Sequence, residues 1–270
     1  MKILRMITIF LFVLSVALYL GVSFRYEVVL DRVSPQIQCE SEVLEVSVNA
    51  TDAELLAGVT AEDNRDGDLT DQIMIQGVSR LITNNTAKIT YVVADSSDNI
   101  ASCTRILQYT DYENPRLSIQ EMPVYRTRPD DQAMPKLYES LSAHDVRDGD
   151  LSDQILISVQ DMNDYEEGQF HVTLQITNSM GGTEMIPLTI VIDNEGAVNP
   201  LVTLREYIAY VDLGSDFDPS DYILTVNGED FEGSYPALRI HANVDTTVPG
   251  AYQVCYQYKD FTVYQTVVFR

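Results

Sequence analysis

Residues Asn64–Ile75 read NRDGDLTDQIMI, and Val146–Ile157 read VRDGDLSDQILI. Inside RDGDLTDQI the two copies differ only by Thr70 against Ser152, so the chain carries a duplicated structural unit. Asp-Gly is a turn dipeptide, and the Leu and Ile that follow are placed to plug a core. Asp68 and Asp150 stand where a carboxylate would cap a short helical turn through Leu69-Thr70-Asp71 or Leu151-Ser152-Asp153.

Each copy is followed by a run with apolar residues at alternate positions, the period of a strand with one face buried. In the first the inward set is Ala87, Ile89, Tyr91 and Val93, and in the second Phe170, Val172, Leu174 and Ile176. A third such run follows the turn pair Pro249-Gly250, with Tyr252, Val254, Tyr256 and Tyr258 on one face and Gln253, Cys255 and Gln257 on the other. Strand breakers at Asp111–Pro115 and Asp193–Pro200 mark linkers. The expected organisation is three small modules, residues 34–112, 113–196 and 197–270. Short alternating strands with frequent turn signals and no long helical period predict an all-β fold of three tandem immunoglobulin-like β-sandwiches. Modules this small have only a marginal core of their own.

The acidic D-x-x-D-G-D-L-T segment, followed by a strand ending in Ala94-Asp95-Ser96-Ser97-Asp98-Asn99, resembles bacterial immunoglobulin-like domains of surface proteins and some insecticidal toxins. The first module also resembles hyalin repeats, through Pro35-Gln36-Ile37-Gln38-Cys39 and Asn99-Ile100-Ala101-Ser102-Cys103-Thr104. The second keeps the acidic segment but has Thr177-Asn178-Ser179-Met180-Gly181-Gly182 at its turn and no cysteine. The third, around Asn243–Tyr252, is similar to a variant without DGDLT. The resemblance implies a fold and a bacterial surface location, and little about a ligand, since such modules serve as scaffolds as well as binders.

Met6–Phe24, MITIFLFVLSVALYLGVSF, contains no charged residue and is long enough as a helix to cross a bilayer core. Lys2 and Arg5 precede it, whereas Glu27 and Asp31 follow soon after Arg25, so the positive-inside bias leaves residues 1–5 as a cytoplasmic stub and the bulk of the chain outside. The competing reading is a cleaved signal peptide with Gly21 and Ser23 near the cut, but the apolar run exceeds an ordinary signal core. A retained signal anchor spanning 6–24 is the expectation.

Seventeen Lys and Arg against 41 Asp and Glu give a formal charge of −24, which repels phosphate backbones and excludes nucleic acid as a partner. An acidic surface of this kind suits solubility and attracts cations loosely. The acidic repeats supply the candidate calcium ligands, Asp63, Asp66, Asp68 and Asp71 in one module and Asp145, Asp148, Asp150 and Asp153 in the other. Calcium takes several oxygen ligands from a flexible turn, and Asp111, Glu113, Asp193 and Glu195 at the linkers could add to the set. The spacing departs from an EF-hand loop, and turn and cap duty is the alternative for all eight aspartates. No cofactor is required by any motif.

Cys39 and Cys103 lie near the two ends of the first module, on the oxidising side of the membrane, and are expected to be bonded to each other, two buried free thiols being the alternative. Cys255 is left over on a polar strand face, where it could form an intermolecular disulfide. His144, His171 and His241 show no metal-ligand spacing, and His171 falls on the outward face of its strand. With no G-x-S-x-G, phosphate loop or Cys-His signature, the chain is expected not to be an enzyme. The expected role is a membrane-anchored adhesin-like binder of extracellular protein or glycan, or a spacer rod. The alternative is an extracytoplasmic partner subunit in an envelope transport, assembly or signalling complex.

Overall fold

The computed structural model describes residues 2–29, 31–125, 134–159, 168–192 and 200–270. The chain is an N-terminal apolar helix followed by three tandem β-sandwich modules. By contact the chain divides into two compact units, Met1–Asp111 and Tyr112–Arg270. The first holds the helix and module 1, and the second holds modules 2 and 3.

Helix α1 runs from Lys2 to Val29, beyond both ends of the apolar run. Its segment Arg5–Ser23 has a mean hydropathy of 2.3 and none of it is buried against the rest of the chain. One N-terminal helix is therefore long and apolar enough to span a membrane.

Module 1 contributes seven strands, β1 (Gln36–Cys39), β2 (Val43–Val46), β3 (Val59–Asp63), β4 (Gly67–Asp68), β5 (Met74–Val78), β6 (Thr86–Ala94) and β7 (Ile100–Tyr109). They form a three-stranded sheet β1-β3-β4 and a four-stranded sheet β2-β7-β6-β5, all antiparallel except the β2–β7 pair. Module 2 repeats the plan with β8 (Arg116–Ile119), β9 (Val124–Tyr125), β10 (Leu141–Asp145), β11 (Gly149–Asp150), β12 (Leu156–Val159), β13 (Gln169–Thr177) and β14 (Thr183–Ile192). Its sheets are β8-β10-β11 and β9-β14-β13-β12, with β9–β14 the parallel pair. Module 3 has β15 (Val202–Leu204), β16 (Ile208–Val211), β17 (Ile223–Val226), β18 (Glu229–Asp230), β19 (Leu238–Ala242), β20 (Gly250–Tyr258) and β21 (Phe261–Phe269). Its sheets are β15-β17-β18 and β16-β21-β20-β19, again with one parallel pair, β16–β21. Three copies of one topology thus follow each other, although the third has lost the repeated acidic sequence.

The alternating residues face inward as their period demands. Ala87, Ile89, Tyr91 and Val93 on β6 and Phe170, Val172, Leu174 and Ile176 on β13 are all buried. On β20, Val254, Tyr256 and Tyr258 are buried, while Tyr252 is half-buried, its ring 5.8 Å from that of Phe269. Cys39 and Cys103 are joined in a disulfide 64 residues apart in sequence, which in the chain-entropy account contributes about 4 kcal/mol to module 1. Cys255 is half-buried, and burial pushes its thiol pKa up, against a smaller lowering by the Tyr264 hydroxyl.

Modules 2 and 3 share one continuous apolar cluster, running from Leu117 and Ile190 to Val202 and Val267. Arg270 ties the join. Its guanidinium lies 4.5 Å from the centre of the Tyr210 ring, donates to the Asn114 carbonyl at 3.2 Å, and pairs with Glu113 at 3.3 Å and Glu184 at 3.8 Å. The Tyr210 hydroxyl accepts from the Leu117 backbone N–H at 2.8 Å, and burial raises its pKa to about 12.

Candidate metal centre

The repeated segment folds the same way in both modules, residue for residue. Asp63 ends β3, and its Oδ1 accepts the backbone N–H groups of Arg65 at 2.8 Å and Asp66 at 3.0 Å. Asp145 does the same for Arg147 and Asp148, both at 2.9 Å. Such side-chain turns are what aspartate does best in a tight hairpin. Gly67 and Gly149 follow at φ 76° and 74°, in the left-handed region that glycine enters without strain. Asp68 Oδ1 then accepts from the Thr70 N–H at 2.9 Å, and Asp150 from that of Ser152 at 3.0 Å, each at the start of a one-turn 3₁₀ helix. The hydroxyls of Thr70 and Ser152 beside them hold both carboxyl pKa values below the ordinary range, with help from the backbone bonds. Leu69, Ile73, Leu151 and Ile155 plug the cores.

Asp66 and Asp148 reach across to the opposite loop. Asp66 accepts from the Ser96 backbone N–H at 2.8 Å and its hydroxyl at 2.9 Å, and Asp148 accepts from Ser179 at 2.6 and 2.7 Å. Each clamp docks the turn after the long central strand against the end of β3 or β10. Asp71 and Asp153 are exposed on the 3₁₀ turns. All eight aspartates predicted as ligands are therefore engaged in turns, caps and clamps or face outward, and among the described residues neither set of four is gathered around one point.

The clamp instead sets Asp95 beside Asp63. Asp31, Asp63 and Asp95 each place a carboxylate oxygen within 4.8 Å of the other two, and all three residues are buried. Among the described residues no second grouping of this kind occurs. One oxygen of each carboxylate is fixed by backbone donors. Asp31 Oδ1 accepts from Val33 N–H at 3.0 Å, and Asp95 Oδ1 accepts from Ser97 and Asn99 N–H, both at 2.8 Å. Asp95 Oδ2 accepts from Asn99 Nδ2 at 2.7 Å. Burial works against ionisation of Asp95, but the bonds from Asn99 and Ser97 outweigh it and hold its pKa below the usual carboxylate value. Asp63 Oδ2 is buried without a hydrogen-bond partner. Asp31 Oδ2 likewise lacks a hydrogen bond, although Arg65 Nε stands 3.3 Å from it as an ion pair.

Module 2 holds the same framework with different chemistry. Asn178 occupies the place of Asp95, and its Nδ2 donates to Asp145 Oδ2 at 3.0 Å and to the Tyr112 hydroxyl at 3.2 Å. Its Oδ1 accepts from Gly182 N–H at 2.8 Å. Tyr112 fits there because residue 182 is glycine, where a Cβ would overlap the phenol oxygen. Asp111, four residues before Pro115 as Asp31 is before Pro35, accepts instead from Ser47 and Val48 within the first unit at 2.7 and 2.8 Å. Glu113 pairs with Arg116 at 2.7 Å, and Asp193 and Glu195 lie outside the described residues. Module 3 replaces the acidic turn by the two-residue hairpin Asn227-Gly228, with φ of 55° and 80°, the pair that such a tight turn requires.

A groove of about 330 Å³ beside the join of modules 2 and 3 is lined by Arg116, Ser118, Arg205, Glu206, Tyr207 and Tyr210 among others, and its lining residues include no His, Cys or Asp. His144, His171 and His241 are exposed, and His171 pairs through Nδ1 with Thr189 Oγ1 at 3.0 Å on the outer face of its sheet.

No family model matches the chain. Over 162 residues it is 25% identical to the pesticidal crystal protein Cry22Aa of Bacillus thuringiensis, an alignment covering 54% of this chain and 22% of that protein. The chain thus spans about a fifth of that relative's length. Among solved structures, CBM51-2 in complex with GlcNAc and INT domains from Clostridium perfringens ZmpB aligns with a TM-score of 0.24 at 16% identity, over 56% of this chain and 26% of that one. The lipoprotein BT2262 from Bacteroides thetaiotaomicron aligns with a TM-score of 0.22 at 13% identity, over 86% and 98%. Likenesses at that level carry no argument about what this chain binds.

Proposed function

We propose that the chain is a single-pass, membrane-tethered protein whose β-modules lie outside the cytoplasm and act without catalysis, as a spacer or as a binder of surface protein or glycan. The observation that carries this reading is helix α1. Its segment Arg5–Ser23 is strongly apolar, without a charge after Arg5, and none of it is buried against the rest of the described chain, so a bilayer is the environment that removes its side chains from water. The charge bias across the helix directs residues 31–270 outward, and a disulfide in module 1 suits the oxidising side. Cores filled by Leu, Ile, Val and Tyr suit a structural or adhesive module.

Expression of the full chain, followed by carbonate extraction and protease shaving of intact cells, tests the reading. Retention in the membrane with residues 1–24 intact by mass spectrometry, and digestion of the modules from outside, is the expected result. A soluble extracytoplasmic product that begins beyond residue 20 would show a cleaved signal and overturn the tether. Digestion only after lysis would overturn the orientation.

A further inference from the structure

We propose that Asp31, Asp63 and Asp95 form a calcium site in module 1, and that module 2 carries the same framework in a permanently neutralised form. The inference goes beyond the membrane reading and does not depend on it.

The first support is the charge. Three buried carboxylates lie within 4.8 Å of one another, with Arg65 as an ion-pair partner at 3.3 Å. Three negative charges against one positive leave an excess that a divalent ion matches. Buried charge in such excess is costly unless paired or bound to metal. The second support is Asp63 Oδ2, buried within the group without a hydrogen-bond partner, while Oδ1 of the same carboxylate is saturated by two backbone N–H groups. An orphan acceptor in a native interior calls for an explanation, and an ion is one. The donor set is all oxygen, the preference of a hard cation, and its members come from separate loops that can adjust to calcium's longer bonds, whereas magnesium demands near-ideal octahedral geometry. Arg65 is about half exposed, with 47% of its side chain accessible, so it can yield its place over Asp31 to an ion.

The third support is the internal comparison. Where module 1 has Asp95, module 2 has Asn178, whose amide donates to the Asp145 oxygen equivalent to the orphan of Asp63. Where module 1 has the Asp31 carboxylate, module 2 has the neutral Tyr112 hydroxyl within reach of that amide. Burial, and then the charges of Asp145 and Asp148, keep that phenol protonated against the lowering effects of Asn178 and Arg270. In module 2 the Asn178 amide fills the Asp145 acceptor and also donates to the phenol, whereas in module 1 the matching oxygen, Asp63 Oδ2, receives no hydrogen bond. Asp31 belongs to the segment between α1 and β1, so a bound ion would fasten the approach to module 1 onto the ends of β3 and β6.

The test is calcium binding by the full chain in detergent micelles, stripped with chelator and followed by calorimetry and equilibrium dialysis. One saturable site per chain is expected above the weak background of the acidic surface, undisplaced by equimolar magnesium, with slower hydrogen exchange at Asp31–Val33 when calcium is bound. Asp95→Asn should abolish that site while keeping the fold, since Asn178 shows that the framework accepts an amide. Asp63→Asn should weaken binding at least tenfold, and Asp145→Asn in module 2 should leave it unchanged. Retention of the Cys39–Cys103 disulfide and of the β circular-dichroism spectrum certifies each variant as folded. No saturable site in the parent chain, equal binding by Asp95→Asn, or loss on Asp145→Asn would each overturn the proposal. Displacement by equimolar magnesium would overturn the assignment to calcium.

Discussion

Replacing Arg270 by Met removes a guanidinium that touches both modules of the second unit. Its loss can be worked from the contacts. The hydrogen bond to the Asn114 carbonyl contributes about 1 kcal/mol, and the stacking over Tyr210 at 4.5 Å about another. Glu113 is half exposed and adds little. Glu184 is the larger matter, because its side chain is only 10% exposed. Stranding it would cost about 3–5 kcal/mol for an intimate buried pair, but at 3.8 Å and with Asn114 still at hand a figure of about 1–2 kcal/mol is the better expectation. The sum is about 3–4 kcal/mol, and for a unit of this size it corresponds to a fall in Tm of roughly 10 °C.

The same contacts fix a pH dependence. Burial raises the Glu184 pKa, and Arg270 with Asn114 only partly opposes it. A carboxyl raised in the folded state binds its proton more tightly there. Its contribution is therefore fully present below the unfolded value, is lost as pH rises through the folded value, and is constant above it. Without Arg270 the folded value rises further, so acidification from pH 7 should recover part of the lost stability, and Glu184→Gln in the Arg270→Met background should recover it at pH 7. Differential scanning calorimetry of the full chain in detergent checks both. The transition that moves when the disulfide is reduced belongs to the first unit, and the other reports on Arg270. A fall of less than about 3 °C, or no recovery in the double variant, would refute the view that Arg270 holds the join by pairing buried charge.

Three further outcomes follow from the same packing. Cys39→Ser with Cys103→Ser should cost module 1 about 4 kcal/mol and leave the second calorimetric transition in place; movement of both would contradict two separately cooperative units. Gly182→Ala should expel Tyr112 from its seat against the glycine, seen as a lower Tm of the second unit and as a newly solvent-exposed tyrosine in difference absorption; an unchanged spectrum would refute the fit. Asn178→Asp should put a second carboxylate against Asp145, where two like charges resist ionising together, and make the second unit of the variant less stable at pH 7 than at pH 5; urea titration of the variant at the two pH values checks the sign.

Much of this fold is written in local pattern. The duplicated RDGDLTDQI and the period-two runs ending at Val93, Ile176 and Tyr258 announce β-modules because a strand buried on one face must alternate. The close packing of modules 2 and 3 is harder to foresee, since Pro and Gly near residues 193–200 signal separation. A trace of it lies in Thr266-Val267-Val268-Phe269, where four successive residues are buried. A continuous apolar run of that kind belongs to a strand covered on both faces. The acidic site was half legible. Asp63 stands in the conspicuous motif, but Asp31 and Asp95 come from the segment before β1 and the turn after β6, brought to it only by tertiary folding. Aligning the two copies on the shared Ser96 and Ser179 offers the missing signal, because the position just before that serine is Asp95 in one copy and Asn178 in the other.

That contrast also shows what the repeated segment is for. Its glycine, its capping aspartates and the Asp66 and Asp148 clamps make the same hydrogen bonds in both modules, so they build the hairpin and dock it whatever lies opposite. The chemistry at the docked face is decided by the residues presented to Asp63 or Asp145 from outside the motif. With Asp95 and Asp31 the face gathers charge and leaves an acceptor unfilled; with Asn178 and Tyr112 it closes on itself. In this chain the DGDLT segment therefore builds the scaffold, and the proposed cation site would draw its other two carboxylates from the first position of the turn after β6 and from the segment entering module 1.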